Sequence, residues 1–451
     1  MKKLIETIKN IFQIQELRER ITYTVLLILV YRLGSFVTLP GVNPHDLGGL
    51  ADQAKGGILG LINVFSGGAF AHASVFGLGI MPYISASIVV QLLGFAVPYF
   101  QRLQRDGESG RNKINQITRY LTVIILIIQG SVYLGNLNSM VNGNISMSSS
   151  FMFYFVGIAC LTAGSMFVMW LGERITDNGL GNGISLIIMI GIISKLPGAF
   201  ITEFGSRTPD GSEAGGLLIM LVEVVILYVV FMLSILLVQG TRRVPVQYAK
   251  RIVGNRQYGG VHQYIPLKVN AAGVMPIIFA QTIIMIPSLF LNNISGSDSM
   301  SGWKLALMSP WGLWHNILLF LMVVFFTYFY TAIAVNPTQM AEDLKKNGGF
   351  IPGVKPGKAT SEFLDTILSR ITLPGSIFLG IVTILPTLAY NMGVDQSFAY
   401  FFGGTSLLIL VGVVLDTLQQ IESYLLMRHY DGLMKNGRIK GRTGGVSGSM
   451  Y

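Results

Sequence analysis

"VFSGGAFAHASVFGLGIMPYISASI", residues 64–88, has no Asp, Glu, Lys or Arg and reads as membrane material. Yet Gly67-Gly68, His72, Gly77, Gly79 and Pro82 follow one another within it. Glycine loosens a helix, and an interior proline removes a hydrogen bond from it. A plain membrane anchor has no use for so many breaks. The stretch divides near residue 73. Residues 61–72 are too short to span, because a dozen helical residues rise only about 18 Å against a hydrocarbon core of about 30 Å. The span itself is expected to begin near Ala73.

The rest of the chain supports a membrane reading. Of 451 residues, 51% are hydrophobic and 12% charged, with mean hydropathy +0.58. A soluble domain is about 25% charged. Apolar runs of spanning length fall at about 21–39, 74–98, 120–138, 151–172, 183–203, 216–239, 271–292, 312–335, 371–391 and 400–427. Outside them, nearly all of the 32 Lys and Arg lie in alternate loops and both termini. The positive-inside rule therefore places both termini in the cytoplasm. Ten spans divide into two sets of five. An odd number per half forces the halves into opposite orientations, which is the arithmetic of an inverted repeat. The expected fold is an all-α polytopic membrane protein with two inverted halves, residues 21–203 and 204–427, and a functional centre near the midplane between them.

Two basic loops are the longest polar stretches, about 240–270 and 336–370. The first alternates residue types and suggests a β-hairpin-like finger. The second has a helical start, a Gly/Pro-rich tip and another helix near Thr360. Residues 1–20 carry apolar positions at spacings that suit an amphipathic helix in the interface. Residues 428–451 read as a basic tail. No cleavable signal peptide is expected. The net charge of +10 suggests cytoplasmic loops, anionic lipid or acidic partners.

Catalytic chemistry is hard to find. The five histidines form no H-E-x-x-H pair, and the single cysteine, Cys160, excludes an intrachain disulfide framework. Cys160 reads as a small core residue. Ser185 has no evident base partner. "GLGNGIS" (179–185) lacks the lysine of a phosphate-binding loop. No enzyme activity, metal or cofactor is expected. An ion-coupled transporter remains a rival, with Arg32, Glu223 and Asp416 as candidate charges at depth. These read more readily as structural pairs in the bundle. Ile80 and Ile84 share a helix face, as do Ile184 and Ile188. Branched aliphatics around a narrow point gate by excluding water. Spacing alone, however, favours ordinary core or lipid-facing isoleucines.

Longer blocks decide between these readings. "FSGGAFAHASVFGLGIMPYISASIVVQLL" (65–93), "GESGRNKINQITRY" (107–120), "FMWLGERITDNGLGNGISLII" (167–188), "PLKVNAAGVMPIIFA" (266–280), "FYTAIAVNPTQMAEDLKKNGGFIPGVKPG" (329–357) and "FGGTSLLILVGVVLD" (402–416) appear in order. Together they resemble the SecY family, the channel subunits of the bacterial protein translocase, from about residue 5 to residue 440. The resemblance implies an hourglass pore whose constriction is lined by Ile80, Ile84, Ile184, Ile188, Ile278 and Ile409. It implies a loosely packed, removable plug at 61–72 that includes Phe65, Ser66, Gly67, Gly68, Ala69 and Phe70. His72 is then a polar residue near the outward-facing end.

A lateral gate is implied between the second and third spans on one side and the seventh and eighth on the other. Gln129 and Asn270 match its polar positions, with Ser85, Ser87, Gln91 and Thr282 alongside, and hydrogen bonds among such groups would hold it shut. The basic loops would dock a ribosome or the SecA motor through Arg242, Arg243, Lys250, Arg251, Arg256, Lys345, Lys346, Lys355 and Lys358. SecE-like and SecG-like membrane subunits, secretory preproteins with their signal sequences, and membrane lipid complete the implied partners. Two departures touch these contacts. Lys355 stands where the family often has arginine, and Asn255-Arg256 where it has paired arginines. Lysine keeps the charge and loses bidentate geometry.

Overall fold

A computed structural model describes residues 14–43, 60, 63–140, 150–207, 216–248, 251–253, 256–258, 262–294, 309 and 311–435. Most of the N-terminal segment, residues 61 and 62 of the plug, Lys250, Asn255 and the tail beyond 435 lie outside these residues, and for Arg251 and Arg256 only the strands are described. The helices are α1 Gln15–Gly34, α2 Met81–Ala96, α3 Pro98–Arg105, α4 Gly107–Met140, α5 Ser150–Asn178, α6 Gly183–Arg207 and α7 Gly216–Gln239. They continue as α8 Met275–Ile294, α9 Leu313–Ala334, α10 Pro337–Lys346, α11 Lys358–Asn391, α12 Gln396–Ala399 and α13 Gly404–Lys435.

A helix occupies each of the ten expected spans. Among the described residues seven helical stretches are long and apolar enough to cross a membrane, and α2 with α3, bent by 101°, makes an eighth when taken as one span. The other two are α1, which carries Glu16, Arg18, Glu19, Arg20 and Arg32, and α8, apolar over Met275–Ile284. Large apolar side chains remain on the outside, among them Leu218, Leu221, Val225 and Leu236 on α7 and Leu373, Ile377 and Ile381 on α11. In water such a surface would aggregate; in a bilayer it is the solvated face.

The second span starts later than its apolar run suggests. Residues 66–80 form turns, and α2 begins at Met81 with Pro82 in its first turn. Proline there gives up an N–H that has no helical acceptor anyway, so it starts the helix and does not break one. Gly79 and Ala73 have positive φ, which a continuing helix forbids. The strand-like segment after α1 holds the turns from outside. Leu39 donates to the Ala73 carbonyl and Val75 donates to the Val37 carbonyl, both at 2.8–2.9 Å.

On the polar side the two basic loops form one structure. β1 (Thr241–Tyr248) pairs antiparallel with β4 (His262–Lys268), Val244 opposite Ile265. β2 (Arg251–Val253) and β3 (Arg256–Tyr258) form a second hairpin farther out, as the finger reading expects. The other edge of β1 pairs with β5, Gly349–Phe350, from the second loop. Val244, Val246, Leu267, Leu344, Ile351, Leu364 and Leu368 are buried together beneath this three-stranded sheet.

Candidate functional site

The backbone of the expected plug is held by side chains from two helices, α1 and α4, and packs against a third, α6. Gly67 and Gly68 both have positive φ, which lets the chain reverse where a Cβ would be strained. Arg32 Nη1 on α1 donates to the Gly67 carbonyl at 2.7 Å, and Tyr31 Oη donates to the Ser66 carbonyl at 3.3 Å. From α4, Tyr133 Oη donates to the Phe70 carbonyl at 3.0 Å. On α6 the plug touches bare backbone: a Cβ on Gly191 would lie 2.7 Å from the Phe65 carbonyl oxygen. Lys195, one turn farther along α6, lies against Gly68.

Residues 65–70, the expected plug, are therefore not loosely packed. Phe65, Ser66, Gly67, Gly68, Ala69 and Phe70 are all buried. His72 is exposed, with its ring 5.7 Å from that of Phe36. Its pKa is lowered by partial burial, then by the charges of Lys195 and Arg32. Sequence reasoning missed Tyr31, Tyr133, Gly191 and Lys195. Tyr31 and Tyr133 act on main-chain carbonyls, Gly191 by the absence of a side chain and Lys195 by lying beside Gly68, so no plug residue type announces them.

The six isoleucines converge. Ile80, Ile188 and Ile409 are buried in one apolar cluster, and Ile84, Ile184 and Ile278 pack against it. Plug residues Val64, Phe65 and Ala69 belong to the same cluster. Next to it is a cavity of about 400 Å3 between α6, α8 and α13. Ile188, Ile278 and Ile409 form its apolar wall, and Asn182, Ser185, Lys268, Asn270 and Asp416 its polar one. Asn182 and Lys268 lie in loops that the charge pattern assigns to one side, so the polar end of the cavity faces that side and its apolar end meets the isoleucine cluster.

Among the described residues the polar gate candidates do not bond across the seam. Gln91 Nε2 donates to Ser87 Oγ at 3.2 Å, within α2. Ser85, Asn270 and Thr282 are buried, and Asn270 Oδ1 has no hydrogen-bond partner among the described residues. Among the described residues no side-chain hydrogen bond links these groups between the two sides of the gate. Apolar contact joins the two sides instead: Ile88 of α2 shares a buried cluster with Ile277, Phe279 and Ala280 of α8, and Ile84 and Leu92 pack against it.

The charges at depth separate into three cases. Glu223 pairs with Arg207 at 2.8 Å, as a structural pair should. Arg32 has no acid among the described residues and bonds the Gly67 carbonyl instead. Asp416 forms no ion pair among the described residues; it is exposed at the wall of that cavity. The pairing expectation thus holds for one of three, because Arg32 meets a carbonyl and Asp416 faces an open cavity. In the basic loops, Arg242, Arg243, Lys345, Lys346, Lys355 and Lys358 are all exposed.

The SecY family model matches residues 74–418, well over half the chain. The chain belongs to the SecY family. It is 43% identical over 439 residues to the protein translocase subunit SecY of Streptomyces coelicolor, covering 94% of this chain and 98% of that one. The subunit of the same name from Chlamydia muridarum is 40% identical over 455 residues, covering 97% and 99%. A solved structure of a protein-conducting channel superposes with TM-score 0.58 at 18% identity, covering 94% of this chain and 95% of that one. A SecY structure from work on its plug domain gives 0.60 at 18%, with the same coverage. The fold is thus that of the SecY channel, although these two structures share fewer than one residue in five with the chain.

Proposed function

We propose that the chain is the protein-conducting channel of a Sec translocase in the bacterial inner membrane. It passes unfolded secretory polypeptides outward and releases hydrophobic segments sideways through a lateral gate. The observation that carries this reading is the junction of the cavity between α6, α8 and α13, the isoleucine cluster and the expected plug. A ring of branched aliphatic side chains offers no fixed hydrogen bond or charge to a passing chain. It therefore seals around any extended sequence and still denies ions a hydrated path. A charged ring would select its cargo and grip it. The relatives named protein translocase subunit SecY support the same conclusion.

In this mechanism a signal sequence enters that cavity and wedges the α2–α8 seam. That seam is apolar, so a hydrophobic helix replaces contacts of the same kind and the exchange costs little. Widening the seam relaxes the pore cluster and frees the plug. The sequence carries no phosphate-binding loop, so the driving force is assigned to partners. The basic faces of β1, α10 and the 352–358 tip suit the SecA motor or ribosomal RNA, which is polyanionic. SecE-like and SecG-like subunits would cover lipid-facing sides of the halves.

Cysteines replacing Ile84 or Ile188 are expected to crosslink to a secretory chain stalled in transit. Crosslinks to lipid alone would remove both residues from the pore.

A further inference from the structure

A second cavity, of about 650 Å3, lies apart from the pore, where β1 leaves α7 and where α11 enters its apolar stretch. Arg242 and Arg370 line it with Thr366, Ile367, Ile371 and Pro374. Arg242 follows the end of α7 by three residues, and Arg370 immediately precedes the apolar run 371–391. Both guanidiniums therefore stand at one level, the cytoplasmic edge of the hydrocarbon. Among the described residues neither has an ion-pair or hydrogen-bond partner. The nearby acids Glu362 and Asp365 are not among the lining residues. Below the cavity the same face of α11 continues as Pro374, Ile377 and Ile381, the last two well exposed. A charged mouth above an apolar track has the pattern of a phospholipid: anionic head, then acyl chain.

We infer that this cavity binds an anionic phospholipid of the cytoplasmic leaflet, its phosphate between Arg242 and Arg370 and its acyl chain along α11. The inference rests on the topology read from the charge pattern, not on the transport reading. The occupant is the surrounding solvent of the protein, so no rare ligand is needed. Two guanidiniums present bidentate donors to phosphate. Each basic group near an anionic surface favours binding by roughly fivefold.

The test uses the membrane-embedded protein with the subunits that copurify, in vesicles carrying photoreactive phosphatidylglycerol or phosphatidylcholine with identical acyl chains. Phosphatidylglycerol is expected to label the 363–374 segment at least fivefold more than phosphatidylcholine. Arg242→Gln and Arg370→Gln should each lower that ratio, and the pair should bring it to one. Arg370→Lys should retain most of it, which separates loss of charge from loss of fold. Equal labelling by the two headgroups would overturn the inference. So would a ratio untouched by the double variant, or a segment shielded from both lipids because a copurifying protein covers it. Phosphatidylglycerol labelling that glycerophosphate abolishes would also overturn it, because the site would then be an anion site with no acyl requirement.

Discussion

Three side chains and one missing side chain hold the proposed plug. Arg32 donates a charge-assisted bond to the Gly67 carbonyl, worth about 2 kcal/mol, whereas the neutral Tyr133 bond to Phe70 is worth about 1 kcal/mol. Arg32→Gln should therefore raise the closed-state ion leak of reconstituted channels roughly thirtyfold, and Tyr133→Phe about fivefold. Equal leaks in the two variants would show that these bonds do not hold the plug. His72 adds a dependence on pH. Its lowered pKa means that the seated plug prefers the neutral ring. That preference is fully present above the ordinary value of 6.5 and is lost as pH falls toward the lowered one. The leak is expected to rise between pH 7 and pH 5 on the outer side, and His72→Gln should flatten the profile. The sequence made Gly67-Gly68 and the isoleucine pairs conspicuous because backbone freedom and apolar spacing are local properties. It could not reveal Tyr133, which lies 63 residues from its acceptor.

At the level of elements, periodic patterns were readable and pairings between distant segments were not. The β-finger, α10 and the start of α11 follow from alternation, capping and Gly/Pro punctuation. Asn336 Oδ1, for example, accepts from the Thr338 and Gln339 amides and caps α10. The two-residue β5 has no pattern of its own and exists only because β1 offers an edge. Pro82 was misjudged for a related reason, since a proline at a helix start and one inside a helix look alike until the boundary is known. The shared sheet makes the loops one docking body. Val246, 1% exposed, supports it from beneath, so Val246→Asp buries a charge without a partner and should undock β5. Protease cleavage within 349–358 should then accelerate at least tenfold while the spans stay resistant. Lys355→Glu leaves that core intact. It is expected to impair motor-driven export without changing protein level, and normal export would remove Lys355 from the partner surface.

At the scale of the molecule, the two halves meet outside the pore at a compact ionic network. Arg207, at the end of α6, donates to Glu203 at 2.9 Å, to Glu223 of α7 at 2.8 Å and to the Gly393 carbonyl at 2.6 Å. The other oxygen of Glu203 accepts from the Asp395 amide at 2.7 Å. This ties the last helix of the first half to the first helix of the second, and both to the loop before α12. Two nearly inaccessible carboxylates share one guanidinium, so removing it is costly. Arg207→Ala should destabilise the protein by about 3–5 kcal/mol, because two buried acids lose their counter-ion. The triple change Glu203→Leu, Arg207→Met and Glu223→Leu should recover much of that, because packed apolar side chains often replace buried ion networks without loss. Thermal unfolding in one detergent checks both. Export provides the functional half of the test. If the network is a structural clasp, a folded triple variant still exports proteins and shows no new dependence on a proton gradient. If Glu223 carries a coupling ion, export fails while the fold survives.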